Sequence, residues 1–293
     1  MKILHICASW RENNGAANIA RMIAGEQKAA GGQVIRATWA SPSVIRAADE
    51  VWLHCSWLPC LWWAALWARR FVWMPEASYD PVRLAYSGWK KRLVSPIERF
   101  FLRRADCVVA TCAAEAEWIR TFEPRVKRIE ITDIKRFFDL SHKTDDKRQR
   151  TKGSSLLILY LGRRHPLKGL QYLEEVVRSA ECVVRSAANN SKLETLNFEL
   201  KIVSSAFGAE KEAAFDWCDV LVLPTLSENF GLVVAEALEH GKRVITTDGA
   251  PAWGDGNDYD GRLVYLRGFR NGSDAERVSL LRDAICSLVA CKP

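Results

Sequence analysis

Residues 222–236 read VLPTLSENFGLVVAE, where an apolar strand ends at Pro224, a short polar turn follows and a helix begins near Leu232. Such a turn lies at the carboxyl end of a strand in a parallel α/β sheet, which is where these sheets bind ligands. Backbone N–H groups at the helix start would favour a phosphate or an anionic sugar oxygen, and Gly231 would let a ligand approach closely. The stretch therefore predicts an α/β fold with an anion-binding turn.

Two glutamates of this stretch are candidate ligand-binding residues. Glu228 precedes the predicted helix and Glu236 lies inside it, eight positions further along. Their carboxylates could accept hydrogen bonds from hydroxyl groups at different parts of one extended ligand. Alternatively, Glu228 caps the helix and Glu236 lies on a solvated face; the spacing alone is compatible with both interpretations.

A second candidate segment, YLGRRHPLKG at residues 160–169, also connects a predicted strand to a predicted helix. Arg163 and Lys168 could neutralise a diphosphate there, including the charge that develops on it as a leaving group. The segment is not a P-loop, because its glycines and lysine have the wrong spacing and order for G-x-x-x-x-G-K-[ST]. An ordinary basic surface loop is the alternative.

Short apolar strands alternate with amphipathic helices along both halves of the chain. This alternation predicts parallel βαβ units with right-handed crossovers. Between the halves, residues 141–155 are polar and densely charged, which is typical of a linker. We therefore predict two Rossmann-like parallel-sheet domains, residues 1–140 and 156–293, that face each other across an interdomain cleft.

The composition is that of a globular protein with a substantial core. Of 293 residues, 48% are hydrophobic and 26% are charged, which excludes disordered, collagen-like and disulfide-stapled chains. The net charge of +7 comes from residues 1–140, with 21 basic and 14 acidic side chains; the rest of the chain has 21 of each. This basic half indicates membrane phosphates, nucleic acid or a solvated face. Without a helix-turn-helix or aromatic RNA-binding motif, no nucleic-acid partner is expected.

Cysteine usage favours a reducing cytoplasm. Nine cysteines, an odd number, do not make a disulfide framework, and their spacings lack the partners of a metal site.

The N-terminus lacks the features of a signal peptide. Residues 51–68 carry no formal charge and just reach the length of a membrane span. Because His54, Ser56 and Pro59 interrupt this run, we expect a buried strand, loop and helix instead.

The C-terminal segments together resemble the retaining, GT-B-fold glycosyltransferases of family 4, the glycosyl transferases group 1 superfamily. Gly162-Arg163 with Lys168-Gly169 resembles the family's G-R-x-x-x-x-K-G loop. Glu228 with Glu236 resembles its E-x7-E signature, and residues 244–251 are similar to the strand and loop that follow.

Similar but less specific segments in the first half extend the resemblance over most of the chain. These segments are Asn14-Gly15-Ala16, His54-Cys-Ser-Trp57 and residues 103–116. One departure is Pro75-Glu76-Ala77, where relatives often have Pro-His-Gly. Glu76 could hydrogen-bond a donor or acceptor hydroxyl, or this part of the site is altered. His54 is expected to be a cleft or core histidine, with a sugar contact as the alternative.

The resemblance implies a nucleotide-diphosphate sugar, a UDP- or GDP-sugar, as donor. It also implies a reaction that retains the anomeric configuration, with no cofactor and no bound metal. Arg163 and Lys168 would hold the diphosphate, and Gly15 would approach the same phosphates. Glu228 would bind the donor sugar and Glu236 the ribose hydroxyls. The backbone groups that assist Glu228 would come from four consecutive residues: Asn229, Phe230, Gly231 and Leu232.

The resulting prediction is an enzyme that transfers a hexose-type sugar to a glycan or lipid-linked acceptor in lipopolysaccharide, capsule or exopolysaccharide synthesis. A basic amphipathic helix predicted at 89–104, with Leu93, Ile97, Phe100 and Phe101 on one side, could lie against the anionic inner face of the plasma membrane. A solvated helix with an apolar core face is the alternative. A non-catalytic nucleotide-sugar-binding subunit and a GT-B-fold nucleotide-sugar epimerase are the competing functions.

Overall fold

The computed structural model describes residues 1–11, 14–141, 155–187, 198–204 and 206–290. The chain divides into two compact units, residues 1–137 and 138–293. Most of the predicted linker lies outside the described residues, so its bounds stay a prediction. Each unit is an α/β structure with its own parallel sheet.

The first unit is built on a six-stranded sheet. Its strands are β1 Lys2–Cys7, β2 Gln33–Ala37, β3 Glu50–His54, β4 Phe71–Met74, β5 Cys107–Ala110 and β6 Ile129–Ile131. They lie in the order β2-β1-β3-β4-β5-β6, and every pair is parallel. Central strands of this kind are buried on both faces, which explains why β4 and β5 are short continuous apolar runs.

Helices connect these strands and cover the sheet. The helices described in this unit are α1 Gly15–Ala29, α2 Pro42–Ala47, α3 Pro59–Trp67, α4 Pro81–Tyr86, α5 Trp89–Arg104 and α6 Ala113–Phe122. Proline begins α2, α3 and α4, because its fixed φ suits the first helical position. Residues 51–68 thus form a strand, a turn and a helix, as predicted. Across the described ranges, no helix combines the length and apolar character needed to cross a bilayer.

The second unit contains a five-stranded sheet. Its strands are β7 Leu156–Leu161, β8 Phe198–Val203, β9 Val220–Leu223, β10 Arg243–Thr247 and β11 Leu263–Leu266. The helices described here are α7 Leu170–Ala187, α8 Ala209–Trp217, α9 Leu232–Glu239 and α10 Asp274–Ala290. The strands lie in the order β11-β10-β9-β7-β8, again all parallel.

Each sheet has a topological switch point, which is the place where the strand order reverses direction. In the first sheet β1 lies between β2 and β3, and in the second β7 lies between β8 and β9. A crevice forms at the carboxyl ends of the strands beside such a point, and doubly wound sheets bind ligands in it. The loops that follow β7 and β9 are the two segments singled out from the sequence, residues 162–169 and 224–231.

Helix α5 has the predicted bounds but not the predicted single apolar side. Phe101 is buried, whereas Leu93, Ile97 and Phe100 are 72%, 44% and 49% exposed. At about 100° per residue, Leu93, Ile97 and Phe100 share one narrow face of the helix. Phe101 lies about 100° further round than Phe100, towards the core. The buried face is completed by Glu98, a charged residue.

Candidate functional site

The loops after β7 and β9 meet at an ion pair between Lys168 Nζ and Glu228 Oε2. The two side chains are only 13% and 16% exposed. Lys168 ends a short 3-10 helix that begins after His165, whose Nδ1 accepts a hydrogen bond from the Leu167 N–H at 3.2 Å. A lysine and a carboxylate this far from water keep their charges by pairing with each other. The structure thus joins two residues that the sequence assigned to one ligand.

Gly169 allows the two loops to approach this closely. Its φ is +69°, and a Cβ atom on it would lie 1.7 Å from the Pro224 carbonyl oxygen, so a larger residue cannot fit without movement. Hydrogen bonds then hold the loops together. The Thr225 hydroxyl and the Leu226 N–H both donate to the carbonyl oxygen of Leu167, at 3.0 and 2.8 Å.

The turn that carries Glu228 is fixed by hydrogen bonds of its own. The Glu228 N–H donates to the Gly249 carbonyl at 2.8 Å, and the Asn229 N–H donates to Glu228 Oε1 at 3.1 Å. The indole N–H of Trp253 donates to the Phe230 carbonyl at 2.6 Å, and the Phe230 ring is buried beside that indole. Phe230 is therefore left with its backbone N–H as the group it can offer to a ligand.

Helix α9 begins at Leu232, as predicted, and Gly231 before it has a left-handed conformation. The N-cap residue of α9 is Gly231, which has no side chain, so the interpretation of Glu228 as the helix cap is wrong. Within the described part of the chain, the N–H groups of Gly231, Leu232 and Val233 have no acceptor. Together with the positive end of the helix dipole, these groups favour an anion.

Glu236 lies on α9 and pairs with a residue from another helix. Lys211 Nζ of α8 is 2.5 Å from Glu236 Oε1, and both side chains are partly buried. The second carboxylate oxygen, Oε2, is buried and has no hydrogen-bond partner among the described residues. Glu236 is therefore not on a solvated face, and it retains an acceptor for a further donor.

Arg163 lies outside the Lys168–Glu228 pair. Its side chain is exposed and forms no hydrogen bond or ion pair with any residue that the structure describes. Its carbonyl oxygen accepts a hydrogen bond from the Tyr160 hydroxyl at 3.0 Å, which ties the loop backbone to the end of β7. Burial raises the pKa of Tyr160, so this hydroxyl stays protonated and can donate.

In the first unit, Gly15 is the first residue of α1, in the connection that follows β1. Asn14 caps this helix, with its Oδ1 accepting a hydrogen bond from the Ala16 N–H at 3.1 Å. The Asn14 amide also donates to the Ser9 carbonyl at 3.1 Å, which closes the loop after β1. Gly15 is exposed there, and its contact with phosphates stays a prediction.

His54 and Glu76 lie together at the carboxyl ends of β3 and β4, and both are buried. His54 Nδ1 is 3.5 Å from Glu76 Oε1, while its Nε2 is 3.0 Å from His5 Nδ1. His5 Nε2 is in turn 2.7 Å from Gln27 Oε1. Burial lowers the pKa of His54 and that of His5, the latter to about 4, and raises the pKa of Glu76. Both histidines are therefore neutral near pH 7, and Glu76 holds its proton above its ordinary pKa. A hydroxyl contact at Glu76 or His54 stays a prediction.

The backbone at these two strand ends is strained. Cys55, Trp57, Glu76 and Ala77 have φ values from +56° to +73°, a region that side chains disfavour. Each such residue costs about 1–3 kcal/mol, and proteins keep this strain mainly at ligand sites. The Trp73 indole N–H helps to hold the conformation by donating to the Cys55 carbonyl at 2.7 Å. The strain marks a second candidate binding region.

Sequence reasoning missed His5 and Lys211. A signal for His5 existed, because it stands between Leu4 and Ile6 in an apolar strand, where a buried imidazole needs a polar partner. The sequence contains no such signal for Lys211, because this residue lies in a charged run typical of a surface. It reaches Glu236 only through the packing of two helices.

Glu76→Gln is expected to make stability less dependent on pH. Folded Glu76 stays protonated above its ordinary pKa of 4.5, whereas the unfolded carboxyl ionises. The wild-type protein therefore loses stability as the pH rises from 4.5 towards the folded pKa, by at most about 1.4 kcal/mol per pH unit for one proton. Urea unfolding of both proteins across this range measures the difference.

The exposed Glu117→Gln is the matched control for that experiment. Because His54 is neutral when folded, its low pKa costs both proteins stability as the pH falls below 6.5, so only their difference belongs to Glu76. Parallel stability curves for the wild type and Glu76→Gln would contradict the prediction.

Two family models match the chain. Residues 24–132 match the Glycosyl transferase 4-like domain, and residues 155–267 match Glycosyl transferases group 1. A Klebsiella pneumoniae protein, described as an uncharacterized 41.2 kDa protein in the cps region, is 26% identical over 176 residues. That match covers 55% of this chain and 48% of the relative, so the chain spans about half of the relative's length.

Solved structures share the fold. Sucrose-phosphate synthase from Thermosynechococcus elongatus has a TM-score of 0.69 at 16% identity, over 99% of this chain and 90% of that one. Anabaena HepE in complex with UDP and glucose has a TM-score of 0.60 at 16% identity, over 97% and 90%. WaaG, a glycosyltransferase involved in lipopolysaccharide biosynthesis, has a TM-score of 0.60 at 13% identity, also over 97% and 90%. The predicted GT-B fold is confirmed.

Proposed function

The chain belongs to the glycosyltransferases that combine a glycosyl transferase 4-like domain with a glycosyl transferases group 1 domain, and we propose that it moves a hexose-type sugar from a nucleotide-diphosphate sugar to a glycan acceptor with retention of configuration. The observation that carries this proposal is the Lys168–Glu228 pair beside the start of α9. It places a cation, a carboxylate and unpaired N–H groups at one edge of the sheet. A nucleotide-diphosphate sugar offers matching phosphates and hydroxyls.

In this proposal each group of the site binds a different part of the donor. Lys168 and Arg163 hold the diphosphate, which also lies at the N-terminus of α9. Glu228 accepts hydrogen bonds from the hydroxyls of the transferred sugar. Glu236 accepts them from the ribose, because its buried Oε2 lacks a partner in the described chain and a hydroxyl would satisfy it.

The proposed chemistry depends on stabilising the leaving group rather than on a protein nucleophile. The bond from the anomeric carbon to the diphosphate oxygen breaks, and its electron pair stays on the diphosphate. The acceptor hydroxyl oxygen bonds to the anomeric carbon on the same face, and its proton passes to the departing phosphate oxygen. Lys168 and Arg163 supply positive charge where negative charge develops. We propose that these groups suffice without a bound metal or cofactor.

The relatives support a surface-polysaccharide role and a UDP-sugar donor. The Klebsiella pneumoniae relative comes from a cps region, and WaaG is involved in lipopolysaccharide biosynthesis. Anabaena HepE binds UDP and glucose on the same fold. We therefore propose that the acceptor is a lipopolysaccharide, capsule or exopolysaccharide precursor.

A donor screen tests the proposed function. The protein is incubated with UDP- and GDP-sugars and with oligosaccharide acceptors, with and without EDTA, and nucleotide release and product anomers are followed by NMR. We expect one donor to release its nucleotide, a product with the donor's configuration, and no effect of EDTA. Donor binding in calorimetry without turnover would favour a non-catalytic subunit, and an epimerised donor would favour an epimerase; both results would overturn the proposal.

A further inference from the structure

Helix α5 carries an outward row of large apolar side chains. Trp89, Leu93, Ile97 and Phe100 are spaced by four, four and three residues, so they share one helix face, and all are exposed. Tyr86, the last residue of α4 and three positions before Trp89 in the chain, is also exposed. A run of five such residues is unusual on a protein surface and marks an interaction site.

Basic residues surround this row. Helix α5 contains six basic side chains and one acidic side chain, Glu98, which is buried. In helical angle Arg104 lies in line with the apolar row, Lys90 lies on one flank, and Arg103 and Arg92 lie on the other. The exposed side of α5 therefore has an apolar centre and a cationic rim, with no acidic residue.

The inner side of α5 is fixed, so the apolar row is not a core face that has turned outwards. Glu98 accepts hydrogen bonds from the Trp57 N–H at 3.2 Å and from the Tyr79 hydroxyl at 2.8 Å, and it also contacts the indole N–H of Trp62. Phe101 and Leu102 are buried on the same side. Rotating the helix to bury the apolar row would break these contacts.

We propose that the face formed by Tyr86, Trp89, Leu93, Ile97 and Phe100 is a docking surface for an anionic phospholipid bilayer. The apolar side chains would enter the boundary between headgroups and acyl chains, and the flanking arginines would meet lipid phosphates. A second copy of the chain fits less well, because a two-fold interface would set this cationic rim against itself. A bilayer supplies both the apolar medium and the opposite charge.

The anchoring of α5 connects this surface to the strained turns of the first unit. Trp57 and Tyr79, the partners of Glu98, belong to the segments that follow β3 and β4, next to His54 and Glu76. Docking would therefore hold the turns after β3 and β4 at the bilayer, where a lipid-linked acceptor would be found. This step rests on the proposed function, whereas the docking itself does not.

Vesicle flotation of the full chain tests the docking surface. We expect binding to vesicles of equimolar phosphatidylcholine and phosphatidylglycerol, little binding to phosphatidylcholine alone, and weaker binding at high salt. The double substitution Leu93→Ser/Ile97→Ser should reduce binding by about tenfold or more. Ile35→Ser, at a side chain 50% exposed on strand β2, is the matched control and should bind like the wild type.

The outcomes separate docking from catalysis. Donor hydrolysis in solution should be the same for the double variant and the wild type, so failure of the donor screen and failure of docking are different results. Equal flotation of the double variant and the wild type would overturn the proposal. A wild-type dimer in sedimentation that the double variant abolishes, without flotation of either, would overturn it in favour of a second copy.

Discussion

Glu228→Gln is expected to lower kcat/KM for sugar transfer by roughly 100-fold or more while the protein stays folded. The substitution keeps the size of the side chain but removes the charge that Lys168 Nζ pairs with. The neutral amide would accept weaker hydrogen bonds from sugar hydroxyls than the carboxylate does. Lys168 would also lose the charged partner that positions it. Initial rates at saturating and limiting donor, with circular dichroism as a check on folding, measure the effect.

Glu175→Gln is the matched control, because Glu175 lies on α7 of the same unit and pairs with Arg178 on the exposed helix surface. It should leave the rates unchanged. Lys168→Met alone and Lys168→Met combined with Glu228→Gln complete a double-mutant cycle, in which residues in direct contact show strong non-additivity. Wild-type kinetics for Glu228→Gln, or fully additive losses, would remove the site assignment.

Gly169→Ala is expected to lower the free energy of unfolding by about 3–5 kcal/mol or to force the two loops apart. Two causes add at this position. The left-handed φ of +69° disfavours any residue with a Cβ atom, and that atom would lie 1.7 Å from the Pro224 carbonyl oxygen. Because Lys168 is the neighbouring residue, transfer activity should fall as well. Urea unfolding and donor turnover measure the two effects.

Two other glycines of the same unit separate these causes. Gly261 has a φ of +76° with no atom within 4 Å of an added Cβ, so Gly261→Ala should show only the conformational cost of about 1–2 kcal/mol. Gly249 shows the steric part, because its Cβ would lie 2.1 Å from the Thr225 carbonyl oxygen without a left-handed φ. A Gly169→Ala protein no less stable than Gly261→Ala would show that the loops tolerate separation.

Much of the fold could be predicted from short apolar runs with clear ends. Strands β4 and β7 are continuous apolar runs, as predicted for strands of a parallel sheet, and α9 begins where Gly231 breaks the regular backbone. Such runs predict buried parallel strands because both faces of the sheet exclude charge. The short helices α2 and α4 were missed, since one or two turns hardly establish a period. Helix α10 was also missed, although Ser273 and Glu276 form a capping box, which is a sequence signal for the start of a helix.

The candidate site was only partly predictable. Glu228 and Lys168 stood out because charged residues in strand-to-helix turns suit a ligand. Their direct pairing depends on the close approach at Gly169, which residue spacing does not encode. The inward Glu98 of α5 shows the same limit, because its burial follows from three donors brought to it by distant parts of the chain.

The shared carbonyl of Leu167 has a consequence for engineering. Since Thr225 and Leu226 both depend on that one oxygen, exchanging either loop alone for a homologue's would leave unmatched partners in the other. Chimaeras made to alter sugar preference should therefore transplant residues 162–169 and 224–231 as one cassette.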